Sequence, residues 1–143
     1  MSKTYIPVAV RRRVAADAKY RCGYCLTSQK IIGQPMHVEH IIPEAIGGSS
    51  DEENLWLACA LCNGHKSSKT SAIDPLTNEK APLFNPRTQD WYEHFTWNHE
   101  GTEIIGQTSI GRATVLALHM NNQYVVPSRR VWVAAGWHPP NEE

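Results

Sequence analysis

Apolar positions in the first half of the chain predict a helix, two short strands and a second helix. Apolar residues recur at helical spacing over residues 6–19, with Pro7 in the first turn, where its missing N–H is tolerated. β-branched residues favour a short strand over residues 36–42, and residues 54–58 form a second short apolar stretch. A helix is predicted from the second pair of cysteines, which begins at Cys59, to about Ser67.

The second half of the chain alternates proline-rich and aromatic segments. Residues 74–86 contain three prolines and are predicted to be a connector held in place by contacts. Residues 91–108 predict a β-hairpin, and residues 112–120 predict a helix. Ser128 is predicted to cap a last helix that ends at Gly136. The aromatic residues expected to pack in a core are Trp91, Phe95, Trp97, Trp132 and Trp137.

The length and composition are those of one soluble globular domain. With 143 residues, 41% of them hydrophobic and 20% charged, a single domain is predicted over residues 1–143. Its core is expected at about residues 20–70, with a C-terminal extension at about 84–140. No apolar run approaches the roughly 18 residues of a membrane span. The charged run at residues 11–13 follows the short apolar N-terminal stretch, the reverse of a secretory signal, so a cytoplasmic location is predicted.

The charge is zero overall but is distributed unevenly. Residues 1–70 contain nine Lys/Arg and six Asp/Glu, whereas residues 71–143 contain five and eight. Zero net charge argues against strong nonspecific binding to nucleic acid. The basic half, however, also contains the chemical motifs, and the asymmetry is compatible with a local phosphate-facing surface.

All four cysteines fall in two Cys-x-x-Cys pairs. The pairs are Cys22–Cys25 and Cys59–Cys62, separated by residues 26–58. Two such pairs can complete a tetrahedral four-thiolate zinc site, and a reducing compartment disfavours two disulfides. A redox Cys-x-x-Cys motif and a set of unrelated thiols would also give this pattern. The separation exceeds the usual zinc-ribbon range, so something folded is predicted between the pairs.

A carboxylate, an imidazole and an amide lie beside these cysteines. Glu39 and His40 are adjacent, and Asn63 directly follows the second pair. Carboxylate and amide oxygens suit Mg²⁺ or Mn²⁺, and an imidazole is the usual general base for activating water. Ordinary roles stay open for each: a satisfied strand histidine for His40, and a helix-capping amide for Asn63. The chemical interpretation is hydrolysis assisted by a single metal ion.

Taken together, these residues resemble the HNH (ββα-metal) endonuclease family, in its small stand-alone bacterial form with a four-cysteine zinc site. The resemblance runs from residue 22 to residue 66, and residues 84–140 are similar to the tail of such proteins. It implies an α+β fold in which a two-stranded ribbon and a helix surround one divalent ion, with structural zinc behind them and a C-terminal hairpin and helices. The matching elements are Cys22-x-x-Cys25, Glu39-His40-Ile41-Ile42-Pro43, Gly47-Gly48, Asn54-Leu55, Cys59-x-x-Cys62, Asn63 and Lys66.

The resemblance also implies a role for individual residues. By position, His40 is the general base, and Glu39 and Asn63 bind the catalytic Mg²⁺ or Mn²⁺. Many relatives have Asp in place of Glu39 and His in place of Asn63. Asn54 corresponds to the middle residue of the motif, which braces the loop and orients the base. The implied reaction is hydrolysis of DNA phosphodiester bonds with 5′-phosphate and 3′-hydroxyl ends.

Basic residues near the motifs are predicted to contact DNA phosphates. A run of three arginines on a helix is also often a solvated face. The main candidates are Arg11, Arg12, Arg13, Lys66 and Lys69, with Arg112, Arg129 and Arg130 as further ones.

Two different functions are also compatible with the sequence. One is a zinc-stapled module that binds nucleic acid without cleaving it, and the second is a zinc protein that mediates protein contacts. DNA is the expected partner and no membrane is involved. A monomer and a homodimer both agree with the sequence.

Overall fold

The protein, described here by a computed structural model over residues 5–141, combines short helices with small sheets. Within that range there are six α-helices and six short strands, and the strands pair in three two-stranded antiparallel sheets. The predicted α+β class is confirmed. The described residues form two compact units: unit 1 comprises residues 5–70 and 85–88, and unit 2 comprises residues 71–84 and 89–141. A single domain over residues 1–143 stays a prediction.

Unit 1 contains the elements predicted for the first half of the chain and one additional short helix. The helix predicted over residues 6–19 is shorter at both ends, because Pro7 precedes its first turn and Lys19 has a positive φ of 56°. Cys59 caps the helix that follows the ribbon. The elements are α1 (Val8–Asp17), α2 (Gln29–Ile32), β1 (His37–His40), β2 (Leu55–Ala58) and α3 (Ala60–Lys66).

The two faces of the β1–β2 ribbon have different neighbours. On one face Val38 packs against a buried cluster of Ile6, Val14 and Leu55. Fully burying a side chain of this size contributes about 1.5–3 kcal/mol. Successive side chains of a strand point to opposite faces, so Glu39 lies on the other face, where α3 packs against β1. The core of unit 1 thereby fixes which residues of β1 face α3.

The segment between β1 and β2 is an ordered loop that only glycine can close. It contains two short 3₁₀ turns, Glu44–Ile46 and Glu52–Asn54. The amide of Gly48 donates to the carbonyl of Pro43 at 2.9 Å. A Cβ on Gly48 would lie 1.7 Å from the carbonyl oxygen of Ile42, so no other residue fits there without moving the backbone. The loop therefore has one closely defined path.

Unit 2 contains two hairpins and three helices. Residues 74–86 were predicted to be a connector held in place by contacts, and the structure corrects this, because they contain the turn and the second strand of a hairpin. The amide of Asp74 donates to Glu79 at 2.8 Å across its turn, and Pro82 ends the second strand, where no amide hydrogen is needed. The elements are β3 (Ser71–Ile73), β4 (Lys80–Pro82), α4 (Trp91–His94), β5 (Phe95–Trp97), β6 (Ile104–Gly106), α5 (Ser109–Ala117) and α6 (Val125–Ala134).

Three predictions for unit 2 need correction in detail. The segment predicted as a hairpin begins with the helical turn α4, and only β5 and β6 pair. Ser128 lies inside α6 and donates to the carbonyl of Tyr124; the side chain of Asn122 accepts hydrogen bonds at the start of that helix instead. Trp137 is 58% exposed and does not belong to the core. Trp91 and Phe95 are buried, as predicted, with ring centroids 5.0 Å apart.

A fully buried arginine joins several parts of unit 2. Arg129 donates to the carbonyls of Thr102 at 2.9 Å and Met120 at 2.7 Å, and to Oδ1 of Asn121 at 3.1 Å. Its guanidinium carbon lies 5.3 Å from the centre of a Trp97 ring. These contacts place Arg129 in the interior, where it cannot reach DNA phosphate. The prediction of DNA contact for Arg129 is therefore wrong.

Replacing Arg129 by methionine should destabilise unit 2. Met fills similar volume but leaves two buried carbonyls without their donor, and each such group costs about 1–3 kcal/mol. We expect the free energy of unfolding, measured by urea denaturation, to fall by about 2 kcal/mol or more. The neighbouring Arg130 is exposed, so Arg130→Met is the matched control. This substitution should change the free energy of unfolding by less than about 0.5 kcal/mol. Equal effects of the two substitutions would contradict the assignment.

Candidate metal centre and active site

The four cysteines converge in unit 1. Their sulfur atoms all lie within 4.8 Å of one another, and Cys25 Sγ is 3.7 Å from Cys59 Sγ. A disulfide would require about 2.05 Å. Zinc bound at about 2.3 Å by four thiolates places neighbouring sulfurs about 3.8 Å apart. The spacing and chemistry of the cluster thus fit a structural zinc site, as predicted.

Each cysteine pair is held by backbone hydrogen bonds that direct its sulfurs inward. In the first pair the amide of Tyr24 donates to Cys22 Sγ at 3.4 Å, and the amide of Gly23 donates to the carbonyl of Leu57 on β2. In the second pair Cys59 Sγ accepts from the amide of Cys62 in the first turn of α3. The cluster therefore joins the first knuckle, the ribbon and the start of α3.

The protonation of these thiols depends strongly on their surroundings. Burial raises the pKa of Cys22 well above its usual value. The pKa of Cys25 is lowered well below its usual value, first by the hydrogen bond from Cys22 and then by those from Cys59 and Cys62. A bound zinc ion would stabilise all four groups as thiolates, because thiols that bind metal are deprotonated.

Glu39 is buried and is bound by two donors from different parts of unit 1. It is 5% exposed, and its Oε2 accepts a short hydrogen bond from the hydroxyl of Tyr24. Its Oε1 lies 3.4 Å from the ammonium nitrogen of Lys66 on α3. Lys66 is 2% exposed and also donates to the carbonyls of His40 at 3.3 Å and Ile41 at 3.0 Å. A buried ion pair thus connects β1 with α3.

The charges in this group are set by burial. Burial raises the pKa of Glu39 above its usual value, and the ammonium group of Lys66 opposes that shift. Burial, reinforced by the charge of Glu39, raises the pKa of Tyr24 well above its usual value. The hydroxyl of Tyr24 therefore stays protonated and acts as the donor to Glu39.

Asn63 lies on α3 beside this group. It precedes Lys66 by three positions, so the two side chains are neighbours on the helix surface. The amide side chain of Asn63 is half-buried and forms no hydrogen bond with the residues that the structure describes. Carboxylate and amide oxygens are the donors that Mg²⁺ and Mn²⁺ prefer. The donor chemistry of Glu39 and Asn63 therefore fits a divalent ion.

His40 ends β1 and is held by the loop that follows it. Its Nε2 lies 2.8 Å from the hydroxyl oxygen of Ser50 and 3.8 Å from Oε2 of Glu44. Nδ1 of His40 makes no hydrogen bond within residues 5–141. One ring nitrogen is thus engaged, and the other is available to a water or a substrate.

Asn54 ends the same loop and binds residues at its start and in its middle. Its Oδ1 accepts from the amide of Ile42 at 2.9 Å, and its Nδ2 donates to the carbonyls of Ile42 at 3.0 Å and Ser49 at 2.7 Å. Ser49 precedes the Ser50 that contacts His40. Asn54 is therefore positioned to hold the segment that contacts the imidazole.

The residues predicted to contact DNA differ in how available they are. Lys66 is buried against Glu39, whereas Lys69 is exposed and donates to the carbonyl of His65. Arg13 pairs with Glu52 at 2.8 Å. The exposed arginines of α1 also include Arg11 and Arg12, and Arg112 in unit 2 donates two hydrogen bonds to the buried Asp74.

The sequence patterns did not predict two residues of the site. Tyr24 lies between the first two cysteines, and Ser50 lies in the glycine-serine loop after β1. Their positions inside motifs were the only available signal. Neither pattern indicates that Tyr24 reaches Glu39 or that Ser50 reaches His40, because both contacts depend on how the loops fold.

Loss of one cysteine should release zinc. We expect purified protein to contain one zinc per chain by elemental analysis, and Cys62→Ser to contain little after dialysis. A structural zinc site supplies about 10 kcal/mol or more of folding free energy, so the variant should also lose the structure of unit 1. Ala60→Ser, an exposed change in the same knuckle, is the control. Full zinc content in Cys62→Ser would contradict the four-sulfur site.

Breaking the Glu39–Lys66 pair should cost more than losing an exposed lysine. Lys66→Met leaves a buried carboxylate without its cation, and removing one partner of a buried pair costs about 3–5 kcal/mol. Lys69→Met removes a lysine of the same length from the surface and should change the free energy of unfolding by less than about 0.5 kcal/mol. Urea denaturation of both variants tests the difference, and similar values would contradict a stabilising pair.

One family model matches the segment that contains these residues. Residues 22–69 match the model of the HNH endonuclease family, described as "HNH endonuclease". No curated protein and no solved structure gives a significant match to the chain. Among residues 5–141, no helix combines the length and the apolar character needed to cross a bilayer. The segment of residues 22–69 that matches the HNH endonuclease model contains both cysteine pairs, Glu39, His40, Asn54 and Asn63.

Proposed function

We propose that the protein is a metal-dependent endonuclease that hydrolyses phosphodiester bonds in DNA. The observation that carries the proposal is the arrangement at the end of β1. There an imidazole with one engaged nitrogen follows directly on a buried carboxylate, within a segment that matches a nuclease family. His40 is the general base, and Glu39 and Asn63 hold the divalent ion.

The contact between His40 and Ser50 supports a different task for each ring nitrogen. Nε2 lies 2.8 Å from the hydroxyl oxygen of Ser50, and in the tautomer that we propose, Nε2–H donates to that oxygen and Nδ1 is unprotonated. Nδ1 then takes a proton from the water that attacks the phosphorus. Asn54 keeps the ring in place indirectly, because it holds the carbonyl of Ser49 next to Ser50. The residues that orient the imidazole, Ser49, Ser50 and Asn54, thus all belong to the loop between β1 and β2.

Glu39 and Asn63 supply oxygen donors from β1 and α3. Each oxygen of a carboxylate can accept two bonds, so the contacts of Glu39 with Tyr24 and Lys66 leave acceptor capacity for a cation. A bound Mg²⁺ or Mn²⁺ would stabilise the negative charge that develops on the phosphate and on the leaving oxygen. The exposed residues Arg12 and Lys69 are candidate phosphate contacts, whereas the buried ammonium group of Lys66 is assigned to Glu39.

One observation favours a nucleic-acid-binding module that does not cleave. Both oxygens of Glu39 already have partners, and the ammonium group of Lys66 repels a second cation. If Glu39 serves only the fold, the protein binds DNA and leaves its strands intact. Gel mobility of DNA and integrity of its strands, measured on the same samples, separate the two functions.

Plasmid cleavage by a His40 variant tests the proposal. Zinc-loaded wild-type protein should convert supercoiled plasmid to nicked or linear DNA when Mg²⁺ or Mn²⁺ is added, and not when it is omitted. Omission is preferable to EDTA, which would also extract zinc. His40→Ala should lower the rate about 10²–10⁴-fold, because it removes the general base, with zinc content unchanged.

The control variant is His99→Ala, which changes an exposed histidine of unit 2. It should cleave at the wild-type rate. Wild-type protein that shifts plasmid mobility without cutting would reject the nuclease in favour of the binding module. A wild-type rate in His40→Ala would reject His40 as the base. Sealing of nicks by DNA ligase would identify 5′-phosphate and 3′-hydroxyl ends.

A further inference from the structure

We propose that Tyr24 is a positioning residue that fixes the carboxylate of Glu39 for binding the divalent cation. The zinc knuckle then does more than stabilise the chain, because one of its own side chains orients a ligand of the second metal. This inference rests on the proposed function. It adds a residue that neither the sequence motif nor the family match assigns.

Tyr24 is built into the first knuckle at both ends of its side chain. It lies between Cys22 and Cys25 and is fully buried. Its amide donates to Cys22 Sγ at 3.4 Å, and its hydroxyl donates to Oε2 of Glu39. Tyr24 thus contacts the sulfur cluster through its backbone amide and β1 through its side-chain hydroxyl.

The hydroxyl of Tyr24 and the ammonium group of Lys66 bind different oxygens of Glu39. Lys66 lies 3.4 Å from Oε1 and is itself fixed by the carbonyls of His40 and Ile41. Because each oxygen of Glu39 contacts a different donor, rotation of the carboxylate about the Cγ–Cδ bond is restricted. The remaining lone pairs then point in defined directions, and Asn63 lies one helical turn before Lys66 on the same side of α3.

Loss of the hydroxyl should weaken metal binding without removing a ligand. Tyr24→Phe keeps the ring that fills the core and deletes only the donor to Oε2. Outer-sphere partners of metal ligands typically contribute about 10–100-fold to metal affinity or activity. We therefore expect the concentration of Mn²⁺ that half-saturates the zinc-loaded protein to rise about 10–100-fold.

The experiment measures Mn²⁺ binding and DNA cleavage on the same zinc-loaded preparations. Electron paramagnetic resonance reports free Mn²⁺, and elemental analysis verifies one zinc per chain. The matched control is Tyr20→Phe, which removes the hydroxyl of a half-exposed tyrosine in the same unit. Tyr20→Phe should bind Mn²⁺ as wild type does, and saturating Mn²⁺ should restore most of the cleavage rate of Tyr24→Phe. A purely structural role would lower cleavage without shifting the Mn²⁺ dependence.

A Glu39→Gln background tests whether Tyr24 acts through Glu39. There Tyr24→Phe should change Mn²⁺ affinity further by less than about twofold, because the charged group that it positions is gone. An equally large effect in both backgrounds would overturn the proposal.

A second measurement on wild-type protein keeps the test decisive if Tyr24→Phe does not fold. With tyrosines labelled with ¹³C at Cζ, Mg²⁺ at a concentration that supports cleavage should shift the Tyr24 resonance and not that of Tyr20. An unshifted Tyr24 resonance would overturn the proposal.

The outcomes also distinguish this inference from the proposed function. If wild type cleaves DNA and binds Mn²⁺ and Tyr24→Phe equals it, only the role of Tyr24 is rejected. If wild type neither cleaves nor binds Mn²⁺, the proposed function is rejected, and the role of Tyr24 falls with it.

Discussion

The convergence of four cysteine sulfurs fixes the relation between two parts of unit 1 that are far apart in sequence. One pair lies before the ribbon and the other starts α3, so joining them closes the chain between residues 25 and 59 around β1 and β2. A zinc ion bound by all four sulfurs would stabilise the folded chain, because the site does not exist in the unfolded chain and the free energy of binding is then part of the free energy of folding. The small apolar core on the other face of the ribbon, around Val14 and Leu55, could not by itself hold α3 in place.

The contacts of α3 convert this constraint into a chemical arrangement. Once the helix is held at its first turn by Cys62, its last turn places Lys66 beneath Glu39. Asn63 lies one helical turn before Lys66 on the same helix. One short helix thus carries a cysteine of the candidate zinc site, one candidate catalytic ligand and the cation of the buried ion pair, which are Cys62, Asn63 and Lys66.

Local patterns were sufficient to predict α1, both strands of the ribbon and α3, but not the short helix α2. The cysteine pair marked the start of α3, and the apolar stretches marked both strands of the ribbon. The burial of Lys66 could not be predicted, since it depends on Glu39, a partner distant in sequence that only the folded ribbon supplies. In unit 2 the β3–β4 hairpin was missed for a similar reason. Its strands contain three residues each, and α5 packs against both of them.

The close approach of Gly48 to Ile42 bears on how the loop after β1 behaves. A loop whose backbone is in van der Waals contact with itself has few alternative conformations, and Asn54 removes most of those that remain. The entropy of ordering the His40 imidazole is therefore lost once, when the chain folds, and in the proposed nuclease it would not be lost again on each binding of substrate. In the proposed nuclease Gly48 would thereby contribute to turnover by preorganisation, although it has no side chain that could take part in chemistry.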